Sequence, residues 1–397
     1  MIPSALKKEI SLRDLDPRGV NLRLPRLQGP SIGGQSFRLA RRGVDRSIAG
    51  VEIEAGSVAV AEAGVNGQTE VNAATQPLPP GAFEDGEVRD PEAVAAALRA
   101  LFGANRLSRK VRLGIANQRV VVRTVRLPAI EDPKELDAAI RFTAQEEIPM
   151  PLEQAVLDHR VVGGVPATGD GPPQIDVIVV AARRDMVSAS LRPLREAGLE
   201  PVGVDLSAFG MIRALGELTP AYNENATADQ QAAQTGTLFC NVGDVSNLAI
   251  AKGRSCLFTR VSATGLDDVV ASLVTSSGLT PEHAQQWIDH VGLATPAEQL
   301  QGDPATVRAV RAALEIGAVA LVDEIRLSLD FYGGKETAVP VERLVLCGPG
   351  SAIAGLDERM SAALGLPVEV AYPQALAGYG PELAARLTIP YGLALDD

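Results

Sequence analysis

Two short turns between predicted strands contain residue types that can bind a phosphate group. One turn covers residues 54–57 and the other residues 242–246, and each combines a glycine with a serine and an acidic residue. Glycine lets the backbone approach an anion closely, and successive amides in such a turn can point at it. An antiparallel meander whose turns bind no ligand is the commoner explanation of turn residues at these places. Both interpretations remain open from the turns alone.

A third candidate is the glycine-rich sequence GPGS at residues 348–351, between a predicted strand at 343–347 and a predicted helix near 353–364. A turn of this kind often holds the phosphate or sugar of a nucleotide. The cysteines and histidines, in contrast, show no zinc-ligand or disulfide spacing, and the cysteines fit small buried residues of a reducing compartment. These residues are Cys240, Cys256, Cys347, His159, His283 and His290. We expect no metal site.

Composition limits the class of protein. The 397 residues suggest at least two domains, and 46% hydrophobic residues provide a large core. The net charge of −12 argues against nucleic-acid binding, which requires a basic surface. The sequence shows neither a membrane-spanning apolar stretch nor the apolar core of a signal peptide. A cytoplasmic protein that does not insert into the membrane is expected.

The strands around the two turns indicate an internal duplication. Residues 48–63 and 237–261 both alternate strand and turn, and they lie about 190 residues apart, which fits a duplicated β-lobe rather than a solenoid. The second copy is predicted to have strands at 237–242, 247–252 and 256–261. Residues 110–116 and 119–127 are predicted to form a hairpin with one solvent-exposed face.

The remaining pattern predicts five regions. Helices are expected from Asp90 to Gly103, at 132–147, 185–197, 205–218, 265–276, 281–290, 303–332 and 391–395, with insert strands at 156–162 and 174–181. Residues 1–46 are predicted to be a flexible basic arm, although 9–15 could form an amphipathic docking element. The domains are then the arm, a first lobe at 47–127 with 203–220, an insert at 128–202, a linker at 221–236 and a second lobe at 237–397.

Four longer stretches resemble one known family. They are LPPGAFEDGEVRDPEAVAAALRAL at 78–101, IRFTAQEEIPMPLEQAVLDHRVV at 140–162, EAGLEPVGVDLSAFGMIRAL at 196–215 and LVLCGPGSAIAGLDERMSAALGLPVEVAYP at 344–373. From residue 48 onward the chain resembles the type IV pilus assembly protein PilM family, which is related to FtsA within the actin-like ATPase superfamily. The resemblance implies an α/β, actin-like two-lobed fold of duplicated ribonuclease H-like domains, with an FtsA/PilM-type inserted subdomain.

The resemblance also implies a cleft for ATP with magnesium, but this chain departs from the family pattern there. Glu52 and Asn241 stand where aspartates are expected, and Glu54 replaces a glycine; Ala59 and Thr264 replace a lysine and a glycine. An amide cannot supply the lost charge, and a glutamate repels a triphosphate. We therefore assign no catalytic residue and expect nucleotide binding that is weak, structural or lost. The implied nucleotide contacts are Glu52, Ala55, Gly56, Ser57, Gly243, Asp244, Val245, Ser246, Gly265, Gly348, Gly350 and Ser351.

The expected function is a cytoplasmic scaffold of a pilus-like machine, held at the inner face of the cell membrane by partners. The resemblance implies binding of the cytoplasmic tail of a PilN-type inner-membrane protein, near Phe142, Glu146, Ile148, Pro149 and Pro151. These side chains could instead pack on their own subdomain. Pilus motor ATPases and a second copy of the chain are further possible partners. The alternative function is an active Mg-dependent ATPase that regulates pilus assembly or type II-like secretion. An FtsA-like membrane filament is disfavoured, because the acidic C-terminus lacks an amphipathic anchor.

Overall fold

The computed structural model describes residues 21–22, 47–63, 71–165, 173–216, 235–335 and 338–395. Its strands are β1 (Asn21–Leu22), β2 (Ala49–Glu54), β3 (Ser57–Glu62), β4 (Asn72–Pro77), β5 (Phe83–Glu84), β6 (Glu87–Val88), β7 (Lys110–Ile115), β8 (Val120–Pro128), β9 (Ala155–Val165), β10 (Gln174–Arg183), β11 (Glu200–Leu206), β12 (Gly236–Val242), β13 (Ser246–Lys252), β14 (Ser255–Ser262), β15 (Val341–Cys347) and β16 (Val368–Val370). Its α-helices are α1 (Pro91–Ala104), α2 (Pro133–Glu147), α3 (Arg184–Glu196), α4 (Ser207–Leu215), α5 (Leu266–Ser277), α6 (Pro281–Val291), α7 (Pro304–Gly333), α8 (Leu356–Leu364) and α9 (Pro381–Ala394).

Local sequence explains where several helices begin. Asp90, Asp132 and Asp303 each precede a proline, and each side chain accepts a hydrogen bond from at least one backbone amide of the first helical turn. The carboxylate satisfies amides that have no partner inside the helix, while proline supplies the required φ angle. The starts predicted for α1, α2 and α7 are thereby confirmed.

The two large sheets have the same topology. In the first, the order is β1-β11-β7-β2-β3-β4, and in the second it is β14-β13-β12-β15-β16. In each sheet, three strands that follow one another in the chain pair antiparallel, namely β2-β3-β4 and β12-β13-β14. Two later strands then pair in parallel on the opposite side of the first of these three: β7 and β11 beside β2, and β15 and β16 beside β12. The duplication expected from residues 48–63 and 237–261 is confirmed, because β2–β3 and β12–β13 occupy equivalent positions.

The predicted hairpin of residues 110–116 and 119–127 is wrong. Strand β7 pairs in parallel with β2 and β11, whereas β8 pairs with β10 in a separate antiparallel sheet of order β8-β10-β9. The chain changes sheets at Asn117, whose side-chain amide donates to the carbonyls of Asp85 and Gly86 at 3.2 and 3.1 Å. These hydrogen bonds hold the connection against the β5–β6 hairpin. The chain does turn tightly there, with the Val120 amide donating to the Asn117 carbonyl at 3.1 Å, but β8 leaves the turn toward β10 instead of folding back on β7.

The small sheet and α2 form the insert. Ile140 and Ala144 of α2 pack on Val177 and Val179 of β10, and this core is separate from that of the first lobe. On the other face of β10, Ile178 joins the first-lobe core. Alternate residues of one strand thus serve two cores, as the period of two in a strand requires.

The sequence-based division placed α3 and the first three residues of β11 in the insert, and the rest of β11 in the first lobe. Strand β11 pairs with β7, and α3 packs against α1. The proposed boundary at residue 202 therefore falls inside a strand. The predicted helix at 205–218 begins only at Ser207, because Asp205 and Leu206 pair with Gly114 and Ile115.

Helices α4 and α9 lie between the two large sheets. All residues of α4 are buried, and α9 packs on α4, β2 and β3 of the first lobe. The sequence predicted a short closing helix at 391–395 in the second lobe; the helix is longer and belongs with the first. Arg112, fully buried, donates from Nη1 to the carbonyls of Leu393 and Leu395 at 2.7 and 2.8 Å and so holds the C-terminal end of α9.

Most of the predicted arm at 1–46 and linker at 221–236 lies outside the described residues. The exception in the arm is β1, which pairs in parallel with Gly203 and Val204 of β11, so this part is a strand rather than a flexible segment. Among the helices of the described ranges, none combines the length and apolarity needed to cross a membrane.

Candidate functional site

The two predicted phosphate turns meet across the cleft between the lobes. The backbone N–H of Ala55 donates to Oδ2 of Asp244 at 3.2 Å, so a carboxylate of the second lobe takes an amide of the first turn. Asp244 Oδ1 accepts from the backbone of Val245 at 2.9 Å. The Ala55 amide, which would face a phosphate in this turn, therefore already donates a hydrogen bond to a carboxylate of the protein.

Glu52 is buried and engaged within the first lobe. Both of its carboxyl oxygens lie within hydrogen-bonding distance of the Ser207 hydroxyl, at 2.7 and 2.9 Å. Burial raises the pKa of Glu52 well above its usual value; the Ser207 hydrogen bond opposes this, and the nearby Glu54 and Asp244 add to it. A Cβ at Gly114 would lie 2.0 Å from Glu52 Oε2, so only glycine leaves room for this carboxyl group.

Glu54 fills the space between the two turns. Its Oε1 lies 2.9 Å from the position that a Cβ of Gly243 would take, and its Oε2 lies 3.3 Å from Nη1 of Arg386. Burial raises the pKa of Glu54, whereas Arg386 and a hydrogen bond from the Asn241 side chain lower it. Two departures from the family pattern, Glu54 for glycine and Asn241 for aspartate, therefore offset each other, because the amide at 241 favours the charged form of Glu54. An aspartate at 241 would set two carboxylates against each other, while the amide donates to Glu54.

Asp244 completes a cluster of carboxyl groups. Burial, with the Glu54 charge as the second cause, raises the pKa of Asp244 to about 7. Asp267 at the start of α5 also has a raised pKa, chiefly through burial and then through Asp268. The cleft thus has a negative rather than a positive electrostatic character, with Arg386 as the cation in contact with Glu54.

The third predicted loop packs tightly on the second turn. Gly348 has φ of +80°, and a Cβ there would lie 2.3 Å from Asn241 Oδ1; one at Gly350 would lie 2.5 Å from Val242 Cγ1. The Ser351 hydroxyl donates to the Gly348 carbonyl at 2.7 Å, within the loop. A mainly apolar cavity of about 30 Å³ lies beside it, between Val242, Gly265 and Ile353. This volume suits a water molecule rather than a nucleoside.

The other predicted contacts are less available to a phosphate. Ser57 Oγ accepts from Arg386 at 2.8 Å, and Ser246 is fully buried in the second sheet. A Cβ at Gly265 would meet the Asp244 carbonyl at 2.0 Å, so this glycine is required by chain packing. Gly56 is exposed at the tip of the first turn. The structure brings the twelve predicted residues to one cleft. Several of them are hydrogen-bonded to, or packed against, other groups of the protein there and so are not open to a ligand.

Magnesium and ATP do not fit these residues. The groups placed nearest a triphosphate are Glu54 and Asp244, and an anionic ligand would have to displace the Asp244 carboxylate from the Ala55 amide. Glu52, the candidate metal-side carboxylate, is held by Ser207, and burial raises its pKa, which disfavours the charged form that a metal ion requires. Within the described ranges, no group of three histidine, cysteine, aspartate or glutamate side chains could hold a metal ion. The three cysteines lie buried and free in β12, β14 and β15, as expected.

The predicted partner-binding residues divide into two groups. Phe142 lies on the outer face of α2 with 68% of its surface exposed, and Glu146, Pro149 and Pro151 are also exposed. Ile148 is only 4% exposed and packs in the insert core. The alternative that these residues pack on their own subdomain therefore holds for Ile148 and not for Phe142.

Sequence reasoning missed three residues of the cleft, namely Ser207, Arg386 and Gly114. Ser207 was placed inside a helix rather than at the junction of β11 and α4, where a hydroxyl can reach a neighbouring strand. Arg386 belongs to α9, whose position beside β3 depends on long-range packing. Gly114 is one of 38 glycines, and its role becomes visible only once Glu52 is placed beside it.

The chain is similar to one protein family and to several solved structures. The family model of the type IV pilus assembly protein PilM matches residues 50–389. A solved structure of a PilM–PilN type IV pilus biogenesis complex is 25% identical, with 87% of this chain and 97% of that chain covered and a TM-score of 0.70. EutJ from Carboxydothermus hydrogenoformans is 15% identical over 90% of this chain and 92% of its own, with a TM-score of 0.49. MreB5 of Spiroplasma citri bound to ADP is 12% identical over 88% and 95%, with a TM-score of 0.47.

The expected actin-like fold is confirmed by the duplicated sheet topology and by its similarity to the PilM chain. Because the family model matches 340 of the 397 residues, from 50 to 389, the chain belongs to the type IV pilus assembly protein PilM family.

Proposed function

We propose that this chain is a scaffold of a type IV pilus-like assembly machine that binds the N-terminal cytoplasmic tail of a PilN-type inner-membrane protein and does not hydrolyse ATP. The observation that carries the binding part is Phe142, an aromatic side chain that α2 presents to solvent instead of to the insert core. The membership in the PilM family and the similarity to a chain solved in a PilM–PilN complex support the choice of partner.

The surroundings of Phe142 suit an extended peptide. Glu146 lies one helical turn further along α2 and is exposed, as is Glu147, so a basic residue of a tail would meet two carboxylates. Beyond α2 the backbone is extended at Ile148 and Pro151. Ile148 itself supports this surface from the core and is no longer proposed as a contact.

The insert also offers main-chain hydrogen bonds. Strand β9 lies at one edge of the order β8-β10-β9 and follows the segment 148–154 in the chain. An extended tail can add to such an edge, with backbone hydrogen bonds giving affinity and side-chain pockets giving specificity. Through this tail the protein would be held at the cytoplasmic face of the inner membrane without inserting into it.

The arrangement of the cleft supports the proposed lack of hydrolysis. Glu54 occupies the space that a triphosphate would need, and Asp244 accepts the hydrogen bond of the Ala55 amide that a triphosphate would need. Arg386 donates hydrogen bonds to Glu54 and Ser57. The cleft then serves as a fixed joint between the lobes, and the binding of a tail does not require a nucleotide.

Isothermal titration calorimetry with a synthetic tail peptide from the PilN-type protein of the same organism tests the binding proposal. We expect Phe142→Ala to weaken binding about 30-fold, because truncating a central aromatic contact costs about 2 kcal/mol. Val370→Ala is the matched control, since Val370 is 42% exposed but lies on β16 of the second lobe. A folded protein that does not bind the peptide, or a Phe142→Ala variant with unchanged affinity, would contradict the proposal.

A further inference from the structure

Two cations from different parts of the chain lie near each other where the insert touches the second lobe. Arg123 belongs to β8 of the insert, and Lys335 follows the C-terminal end of α7 in the second lobe. Strands β8 and β14 are in contact, and the Lys335 ammonium lies above Phe258 of β14. Burial lowers the pKa of Lys335, and the Arg123 charge lowers it further. Two partly buried like charges thus share this junction.

Neither cation has a carboxylate partner among the described residues. Lys335 contacts aromatic rings instead, and Arg123 donates from Nη1 to the carbonyl of its neighbour Val122 at 2.9 Å. The chain has a net charge of −12, so carboxylates are not scarce. Partly buried like charges repel each other and weaken the fold. Such a cost is typical of a site that binds an oppositely charged group.

Aromatic rings hold the Lys335 ammonium in place. Its Nζ lies 5.3 Å from the centre of the Phe258 ring and 5.6 Å from that of the Phe331 ring, and the two ring centres are 5.9 Å apart. A ring face attracts a cation but does not replace the oxygen acceptors of its N–H groups, so these donors remain for a ligand. Phe258 is buried, whereas 60% of Phe331 is exposed. The exposed ring offers an apolar contact beside the two cations.

The outer strands of two sheets border this site. Strand β8 is the outer strand of the order β8-β10-β9, and β14 is the outer strand of the order β14-β13-β12-β15-β16. The two strands touch but do not pair with each other in a sheet. An extended peptide can form backbone hydrogen bonds with such an outer strand. These edges and the exposed Phe331 ring favour a peptide segment over a small inorganic anion.

We propose that Arg123, Lys335 and Phe331 form a docking site for an acidic segment of a partner protein. One carboxylate of the segment lies between the two cations, and a neighbouring apolar side chain packs on the Phe331 ring. The segment is acidic because two cations without a carboxylate partner are complementary to a carboxylate and not to a basic tail. A bound segment contacts the insert and the second lobe together. The proposal does not depend on tail binding at Phe142.

Fluorescence anisotropy tests this site with a fluorescein-labelled synthetic peptide of glutamates around one central phenylalanine. We expect the full chain to bind this peptide saturably, and Lys335→Gln and Arg123→Gln each to weaken binding about five- to tenfold. Arg308→Gln is the matched control, because Arg308 is exposed on the same helix about 38 Å from Gly333. A folded chain that does not bind the peptide, or an affinity that Lys335→Gln leaves unchanged, overturns the proposal.

Inorganic phosphate at matched ionic strength separates an acidic segment from a small anion. We expect phosphate to displace the peptide only at concentrations far above that of the peptide itself. Phe331→Ala is expected to weaken peptide binding, because it removes the apolar contact and leaves both cations in place. Displacement by phosphate at the peptide's own concentration, or a Phe331→Ala variant with unchanged affinity, would show a small-anion site and contradict the proposed occupant.

A double-mutant cycle on stability tests the pair of cations without any ligand. Urea unfolding is measured for the wild type, Arg123→Gln, Lys335→Gln and the double variant. Each single substitution removes the same repulsion, so the double variant should be less stable than the sum of the two single effects implies. Strictly additive effects would mean that the two charges do not face each other, and they would refute the site.

Discussion

The carboxyl cluster in the cleft makes a specific prediction about pH. Asp244 has a pKa raised from 3.8 to about 7, with burial as the first cause and the Glu54 charge as the second. The folded chain therefore retains a proton that the unfolded chain releases between these values. The stability that this proton contributes is complete below the unfolded pKa and is lost as pH rises through about 7.

The expected size of the effect follows from the two pKa values. For one carboxyl group titrating at 3.8 unfolded and about 7 folded, the free energy of unfolding falls by about 2 to 3 kcal/mol between pH 5 and pH 8. Asp244→Asn removes this titration and keeps a side-chain oxygen that can accept from the Ala55 amide. We therefore expect the variant to lose less stability than the wild type over this pH interval, by about the same 2 to 3 kcal/mol.

Urea unfolding followed by far-UV circular dichroism at pH 5, 6, 7 and 8 measures this difference. Comparing variant with wild type at each pH cancels the contributions of groups that do not interact with Asp244. Asp185, with a pKa lowered to about 2 mainly by its hydrogen bond with Arg183, loses its contribution only below this interval. Asp289→Asn, at an exposed carboxylate on α6, serves as the control and should follow the wild type.

Two results would refute the reasoning. One is a wild-type pH dependence that Asp244→Asn leaves unchanged. The other is a variant that is equally destabilised at every pH, which would mean that Asp244 acts only through its hydrogen bond with Ala55 and not through a buried charge.

Three further predictions concern contacts in and around the cleft, and the same unfolding assay tests them. Asn241→Asp should lower stability at pH 8 by about 1 to 3 kcal/mol, because a second carboxylate would replace the amide that donates to the buried glutamate; an unchanged midpoint would contradict this hydrogen bond. Arg213→Met should cost about 3 to 5 kcal/mol by leaving the buried Asp205 without its ion-pair partner at 2.5 Å, and adding Asp205→Asn should recover part of the loss. Gly50→Ala should cost about 1 to 3 kcal/mol because its Cβ would lie 2.0 Å from a carbonyl of α9, whereas Gly56→Ala, with open space at Cβ, should be nearly neutral; equal effects of the two would argue against the position of α9.

Features set by neighbouring residues could be predicted from the sequence. The Asp–Pro pairs at Asp90, Asp132 and Asp303 mark helix starts, because the cap and the φ angle are local properties. The strand–turn–strand pattern at 48–63 and 237–261 indicated the duplication for a similar reason, since each copy consists of adjacent strands. The turns at 54–57 and 242–246 could be assigned to the cleft, because the duplication repeats them, whereas their contacts with a nucleotide stay a prediction.

Features set by long-range pairing could not be predicted in the same way. Alternation in residues 110–127 predicts two strands but does not say which sheet each joins, and β7 and β8 join different ones. The position of α9 depends on Arg112 and Gly50, which are distant in sequence. The relation between Glu54 and Asn241 likewise requires two lobes in contact. The sequence showed two separate departures, whereas the structure places Glu54 Oε1 and Asn241 Nδ2 together beside Gly243.

We propose that the protein binds a membrane partner's tail through the insert while its cleft holds no nucleotide. The most direct test is calorimetric titration of the tail peptide into the full chain, with and without saturating magnesium and ATP, together with a titration of magnesium and ATP alone. We predict the same peptide affinity in both conditions and no binding heat for the nucleotide. Saturable nucleotide binding, or a peptide affinity that depends on ATP, would contradict the account.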